Sequence, residues 1–334
     1  SYFSYFWQPI LRFAEILNLK MPQVELNFLP TEDIKNLLLL ADFEVVKEEW
    51  RQLLPISFFG LGKIVNKYFA TLPIVRRLCL RNYIVSRSLK KSSSQYQSCS
   101  LIIPCRNEKG NIEDAVLRIP DFCDDLEIIF VEGHSEDGTY EEIKRIESKY
   151  SKKNIKVLKQ DGNGKADAVY KAFEHSNGEV LMILDADLTV PPEQLGKFWD
   201  SIISNKGEYI NGSRLVYPMQ KDAMRLLNLM ANQLFSIVFS WLLNQRYTDT
   251  LCGTKALSRS DYQRIKESRS YFGDFDPFGD FDLIFGSSKL SLKMIEIPIQ
   301  YKARSYGRTQ ISRFRHGFQL LRMVLHGYRK LKAL

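Results

Sequence analysis

Cysteine is scarce and poorly placed for covalent or metal chemistry. The five residues, Cys79, Cys99, Cys105, Cys123 and Cys252, are odd in number and none forms a C-x-x-C pair. That excludes zinc-ligand spacing and argues against a disulfide framework, so they read as reduced, mostly buried thiols of a cytosolic protein. Long apolar runs are missing too. No stretch reaches the ~18 uninterrupted apolar residues of a membrane span. The nearest, Met224–Leu243, is broken by Arg225, Asn228, Asn232 and Gln233. No signal-peptide pattern opens the chain, and Ser1 in place of Met reads as the trimmed start of a longer one.

What is present is a folded α/β pattern. Hydrophobic residues make up 45% and charged residues 26% of 334 positions, enough for one large domain and a smaller one. Lys and Arg outnumber Asp and Glu by 47 to 39, a net charge of +8. This surplus suits an anionic partner, whether nucleotide diphosphate, anionic lipid or nucleic acid. The basic residues follow no stacking-aromatic pattern, which places nucleic acid last among these. The polar, Ser-rich run RSLKKSSSQYQ, Arg87–Gln97, marks a linker. The expected organisation is a segment over residues 1–90, a linker over 91–97, an α/β domain over 98–310 and a basic amphipathic helix over 311–334.

Before the linker, Thr31-Glu32-Asp33 opens a capped helix, and Phe43–Val46 and Asn82–Ser86 read as strands. After it, strands are expected at Ser100–Ile103, Leu126–Val131, Ile155–Leu158 and Val180–Leu184. They alternate with helices at Asn111–Leu117, Thr139–Tyr150 and Lys165–Ser176. Such βα repeats imply a mainly parallel sheet with helices on both faces, and ligands of such sheets sit at the carboxyl ends of the strands. Three strand ends carry polar clusters: Pro104-Cys105-Arg106-Asn107-Glu108, Glu132 to Thr139, and Asp185-Ala186-Asp187.

Asp185 and Asp187, one residue apart after a buried strand, offer hard oxygen ligands to Mg²⁺ or Mn²⁺, which takes one or two carboxylates plus phosphate oxygens. Two such Asp also serve as plain turn formers. Lys165, after Gly162-x-Gly164, reads either as a diphosphate contact or as a solvated first-turn lysine. Asp280 and Asp282 in GDFDLIF read either as general bases or as helix caps. His134 reads as structural.

The ordered series IIPCRNEKGNI, VEGHSEDGT, GNGKADAVYKAF and GEVLMILDADLTVPPE, followed by NGSR, TDTLCGTKAL and EIPIQYKARSYGRT, resembles the family 2 glycosyltransferases. It is most similar to their dolichyl- or polyprenyl-phosphate mannose synthase branch. The resemblance implies a GT-A fold. It also implies inverting, metal-dependent transfer of a sugar from GDP-mannose or a UDP-hexose to a polyprenyl phosphate at the cytosolic membrane face. Residue by residue it implies nucleotide-sugar contacts at Pro104, Arg106, Glu108, Glu132, Lys165, Asp185 and Asp187. Asp187 and Asp185 would hold the metal, and Asp187, Asp280, Asp282 and Arg214 would serve catalysis. Cations for the acceptor phosphate would be Arg214, Arg225, Arg304 and Arg308. The sequence departs from the family at Arg106 (usually Tyr), Gly133 (Asp), Thr189 (Gln) and Gln310 (Lys). A phosphate acceptor needs no base, whereas a hydroxyl of a lipid, glycan or polyketide would. A catalytically dead nucleotide-sugar-binding scaffold is the alternative of another class. Before the linker, LPTEDIKNLLLLADFEVV resembles the tail of a class I methyltransferase. The Gly-rich turn that holds S-adenosylmethionine is missing, so no methyl transfer is expected, and a helical docking or lid module is the other reading.

Peripheral membrane contact is expected from two helices. In Met224–Leu243 a narrow polar stripe (Arg225, Asn228, Asn232, Ser236, Ser240) lies on an otherwise apolar helix. In Phe314–Leu331, Phe314, Phe318, Leu321, Leu325 and Tyr328 share one face, with Arg315, Arg322, His326, Arg329 and Lys330 elsewhere.

Overall fold

The computed structural model describes residues 1–21, 28–90, 96–217, 226–273, 279–304, 306–307 and 313–333. The chain divides into two compact units. The smaller takes Ser1–Ser92 with Leu325–Leu334, and the larger takes Ser93–Val324.

In the smaller unit, a helix at Thr31–Leu40 precedes a long antiparallel pair, Phe43–Arg51 with Arg81–Ser88. Tyr2–Phe3 adds to the far edge of the second strand. The two strands expected from sequence are both present and longer than foreseen; along the first, Lys47, Glu49 and Arg51 neutralise one another.

The larger unit is built on seven strands: β1 (Ser98–Cys105), β2 (Asp125–Glu132), β3 (Asn154–Lys159), β4 (Val180–Ile183), β5 (Tyr209–Ser213), β6 (Lys255–Ser258) and β7 (Met294–Pro298). Their order is β7-β5-β6-β4-β1-β2-β3. β6 alone runs antiparallel to its neighbours β4 and β5. The expected mainly parallel α/β sheet is therefore what forms. The larger unit's longer helices are α1 (Ile112–Leu117), α2 (Thr139–Lys149), α3 (Lys165–His175), α4 (Leu195–Ile203), α5 (Leu226–Leu243), α6 (Arg259–Glu267), α7 (Asp280–Lys289) and α8 (Arg313–Gly327), the last of which ends in the smaller unit from Leu325 on.

Strand alternation splits the core in two. Cys99, Leu101, Ile103, Ile128 and Phe130 belong to one buried cluster with Ile112 of α1, Ile143 of α2 and Phe198 of α4. The alternate residues Ile102, Ile129, Leu181 and Ile183 are equally buried, so helices cover both faces, as a parallel sheet requires. Register pairs Cys105 with Glu132 and Ile102 with Ile183. Residues 106–108, 132–137 and 185–187 therefore leave the sheet along one edge.

A tight joint fixes the opposite edge. Buried Ser100 donates its hydroxyl to Glu127 Oε2 (2.6 Å) and accepts the Gly178 N–H (2.8 Å). A Cβ at Gly178 would lie 2.3 Å from the Ser100 nitrogen, and backbone has no room to give. Gly178→Ala is expected to destabilise the larger unit by about 3 kcal/mol, read as a lower urea midpoint at unchanged m-value.

Candidate active site

The β1–α1 and β2–α2 turns are stitched together before any ligand is considered. Asn107, at φ +55°, donates its N–H to Ser135 Oγ (3.0 Å), and its Oδ1 accepts from the Glu136 N–H (2.9 Å). The Glu108 N–H donates to Thr139 Oγ1, and the Lys109 N–H to Asp137 Oδ2. Glu132 is buried at the end of β2, where its Oε1 accepts the Ser135 N–H (2.5 Å). Pro104 is half-buried and Arg106 exposed at the same edge. His134, also at positive φ, bonds the Gly162 carbonyl (3.1 Å), in keeping with a structural role. A Cβ at Gly133 would come within 2.8 Å of Gln160 Oε1, the movable end of a side chain, so space alone does not demand glycine there.

Two clusters of opposite charge form on this edge. In the first, Arg304 spans Glu108 (Nη1 to Oε1, 3.0 Å) and Asp187 (Nη2 to Oδ2, 2.6 Å). The other oxygen of Asp187 accepts from the Thr189 N–H and hydroxyl. Tyr306 reaches Asp137 Oδ2 (3.3 Å), and its ring lies where a side chain at Gly110 would stand. The segment after β7 thus folds over the turn after β1.

In the second cluster, Lys165 at the start of α3 pairs with Asp185 (2.6 Å). Burial alone would lower the Lys165 pKa, but Asp185 and Asp280 more than offset it and the pKa is raised. Burial likewise works against the Asp185 carboxylate, yet Lys165 holds its pKa below the usual range. Lys165, part-exposed, pairs here with the first aspartate of the Asp-x-Asp pair. Gly253 permits this closeness, because a Cβ there would sit 2.0 Å from Asp185 Oδ2. Arg214 grips Asp249 with two bonds, Nε to Oδ2 (2.6 Å) and Nη2 to Oδ1 (2.7 Å). Lys255, fully buried on β6, pairs with Asp280 (3.1 Å). Asp282 accepts from Tyr170 Oη (2.9 Å) and lies 3.4 Å from Arg269 Nε. Burial, with Asp249 nearby, pushes the Cys252 thiol up to about 12, which rules it out as a thiolate nucleophile at neutral pH.

Of the site residues expected from sequence, the edge gathers Glu108, Asp187 and Arg304 in one cluster and Lys165, Asp185, Asp280 and Arg214 around another. Arg225, Arg308 and Gln310 lie outside the described residues. Asp249, Lys255 and Glu296 were not singled out by sequence reasoning. Glu296 accepts the Thr248 and Asp249 N–H groups and so orients the loop that holds Arg214. Lys255 within an apolar strand, TKALS, was the one local sign that a buried acid awaited it. Among the described residues no group of three His, Cys, Asp or Glu could by itself enclose a metal ion.

On the two membrane-facing expectations, α5 turns its polar stripe inward at the positions described. Asn232 is buried, and Ser240 exchanges bonds with the Tyr247 backbone, while Leu234 and Ile237 are exposed. In α8, Phe318, Leu321 and Leu325 are exposed while Leu320 and Met323 are buried. The side chains of Phe314 and Arg315 are outside the described set. Among the described residues no helix is long and apolar enough to cross a membrane.

This sheet order, with an Asp-x-Asp pair after the central β4, is the GT-A glycosyltransferase architecture. Residues 100–265 match the family described as Glycosyl transferase family 2, and the chain carries a family 2 glycosyltransferase domain. It is 27% identical over 243 residues to a dolichol-phosphate mannosyltransferase of Pyrococcus furiosus, covering 70% of this chain and 63% of that protein. It is 26% identical over 240 residues to a UDP-N-acetylglucosamine–dolichyl-phosphate N-acetylglucosaminyltransferase of Methanococcus voltae, covering 67% and 94%. The first of these relatives is thus matched over less than two thirds of its length. Among solved structures, glucosyl-3-phosphoglycerate synthase of Mycobacterium tuberculosis with Mn²⁺, uridine diphosphate and phosphoglyceric acid superposes with TM-score 0.53 at 15% identity, over 71% of this chain and 81% of that one. That likeness is one of fold.

Two outcomes follow from the geometry. Asp249→Asn leaves the Arg214 guanidinium buried without its counter-charge and is expected to cost about 3–5 kcal/mol in chemical denaturation. Glu108 is pushed up to about 7 by burial, against the pull of Arg304 and Asn111. A carboxyl whose pKa rises on folding holds its proton more tightly in the folded chain, so stability falls as pH climbs from about 4.5 to about 7. Glu108→Gln, which cannot ionise, is expected to flatten that fall by ~2 kcal/mol, measured as urea midpoints across the interval.

Proposed function

We propose that the chain moves a sugar, with inversion, from a nucleotide-sugar donor (GDP-mannose or a UDP-hexose) to a polyprenyl phosphate at the cytosolic membrane face. The observation that carries this reading is the convergence of Glu108, Asp187 and Arg304 at the strand edge of a family 2 domain. Relatives named for dolichyl-phosphate acceptors support it.

The donor set of Asp187 and Asp185 fits Mg²⁺ or Mn²⁺, two carboxylates at a hard-ion site that diphosphate oxygens would complete. Such an ion would neutralise charge on the departing nucleotide. The chain's own residues do the rest. Glu132 and Glu108 line the turns where the nucleoside would lie. Arg304, which spans Glu108 and Asp187, is the cation we assign to the diphosphate or the acceptor phosphate, which it would take in exchange for one of those carboxylates. An oxygen of the acceptor phosphate attacks the anomeric carbon opposite the diphosphate, whose bond to that carbon breaks. Because a phosphate monoester is largely ionised near neutral pH, no proton has to be removed.

A hydroxyl acceptor would need a base. Asp280 and Asp282 are engaged by Lys255, and by Tyr170 and Arg269, which favours the phosphate acceptor. Arg214 is held so fully by Asp249 that it serves best as a fixed positive field beside the site.

Incubation with radiolabelled nucleotide sugars, Mn²⁺ and a short polyprenyl phosphate in detergent should carry label into the organic phase. Asp187→Ala should reduce that transfer about 1,000-fold, ~4 kcal/mol, with the circular dichroism spectrum unchanged. Label that stays aqueous with every donor would sink the proposal.

A further inference from the structure

From Arg51 to Asn107 the chain contains no Asp or Glu. Within that stretch the smaller unit builds a helical excursion between its two long strands, Phe58–Leu78. Ala70 is buried and Val65 and Val75 are half-buried, but most of its larger apolar side chains do not turn inward. Ile74 is 84% exposed and Ile56 69%, and Leu61, Ile64, Phe69 and Leu78 are each more than half exposed. Lys63, Lys67 and Arg77 are exposed among them, and none of the three enters an ion pair among the described residues. The acidic residues nearest in sequence, Glu48 and Glu49, are committed to Lys35, Lys47 and Arg51.

The excursion is an ordered scaffold. Asn66 clamps its base, accepting the Leu54 N–H (2.8 Å) and donating to the Leu54 carbonyl (2.7 Å). The Ser57 carbonyl collects the Gly60 and Gly62 N–H groups. Gly62 is required there, since a Cβ would lie 2.1 Å from the Ile56 oxygen. Phe59, fully exposed, is held at φ +50°, a conformation costly for a bulky residue and the kind of strain retained at functional positions.

A preformed apolar projection threaded with unneutralised cations, and free of carboxylates, matches the interfacial zone of an anionic bilayer: apolar side chains enter the acyl boundary while Lys and Arg stay at the headgroups. A protein partner would account for the apolar patch but not for the exclusion of every acid over this stretch. We propose that Ile56–Leu78 is a docking surface for anionic phospholipid membranes. It goes beyond the proposed polyprenyl-phosphate chemistry by placing the chain on the surface where such an acceptor resides, yet it stands on the smaller unit alone.

The test is flotation of the full chain with extruded vesicles of phosphatidylcholine alone or with phosphatidylglycerol, at low and high salt. Binding should require phosphatidylglycerol and weaken with salt. Two double variants, Ile64→Ser with Ile74→Ser, and Lys63→Glu with Lys67→Glu, should each lower the partition coefficient on the order of 10-fold or more. Transfer to a short, detergent-dissolved polyprenyl phosphate should be unchanged in both variants. No vesicle binding by the parent chain, variants that bind as the parent does, or a concentration-dependent dimer that Ile74→Ser abolishes would each overturn the proposal. Vesicle binding that persists while sugar transfer is absent would overturn only the enzymatic reading.

Discussion

Four aspartates near the carboxyl edge of the larger sheet are each held by a cation from elsewhere in the chain: Asp185 by Lys165, Asp187 by Arg304, Asp249 by Arg214 and Asp280 by Lys255. Acids brought together in a partly dry crevice repel one another and lose hydration, and an unpaired buried charge costs several kcal/mol. The fold can gather them only if each arrives with its counter-charge. This requirement ties distant segments together. Arg304 reaches back 196 residues to Glu108 and 117 to Asp187, joining the segment after β7 to the ends of β1 and β4.

The same pairing sorts the cations by what they can do. Lys255 has no exposed surface, and Arg214 uses both edges of its guanidinium on Asp249; these set the field and the shape of the site. Arg304 differs because it bridges two acids on the crevice itself. Asp185 and Asp187 are the carboxylates that would hold a divalent ion under the proposed function, and both are paired with cations here.

The first four strands were legible because each is a short apolar run, with a helix of matching period between it and the next. β5, β6 and β7 were not. They are four or five residues long and carry Asn211, Lys255 and Glu296, polar side chains whose partners come from other segments and so leave no local pattern. The polar stripe of α5 was legible by spacing, but its partners were not: Ser240 is satisfied by the Tyr247 backbone and Asn232 is buried, with apolar Leu234 and Ile237 exposed.

The sequence by itself determined which residues leave the sheet together. Period-two burial and strand–helix alternation force the ends of β1, β2 and β4 to one edge, and with them Glu108, Glu132, Asp185 and Asp187. Only the tertiary structure decided which charge meets which. Ion pairs form through space between residues tens to hundreds of positions apart, and nothing in local spacing distinguishes an arginine waiting for a phosphate from one already spent on an aspartate.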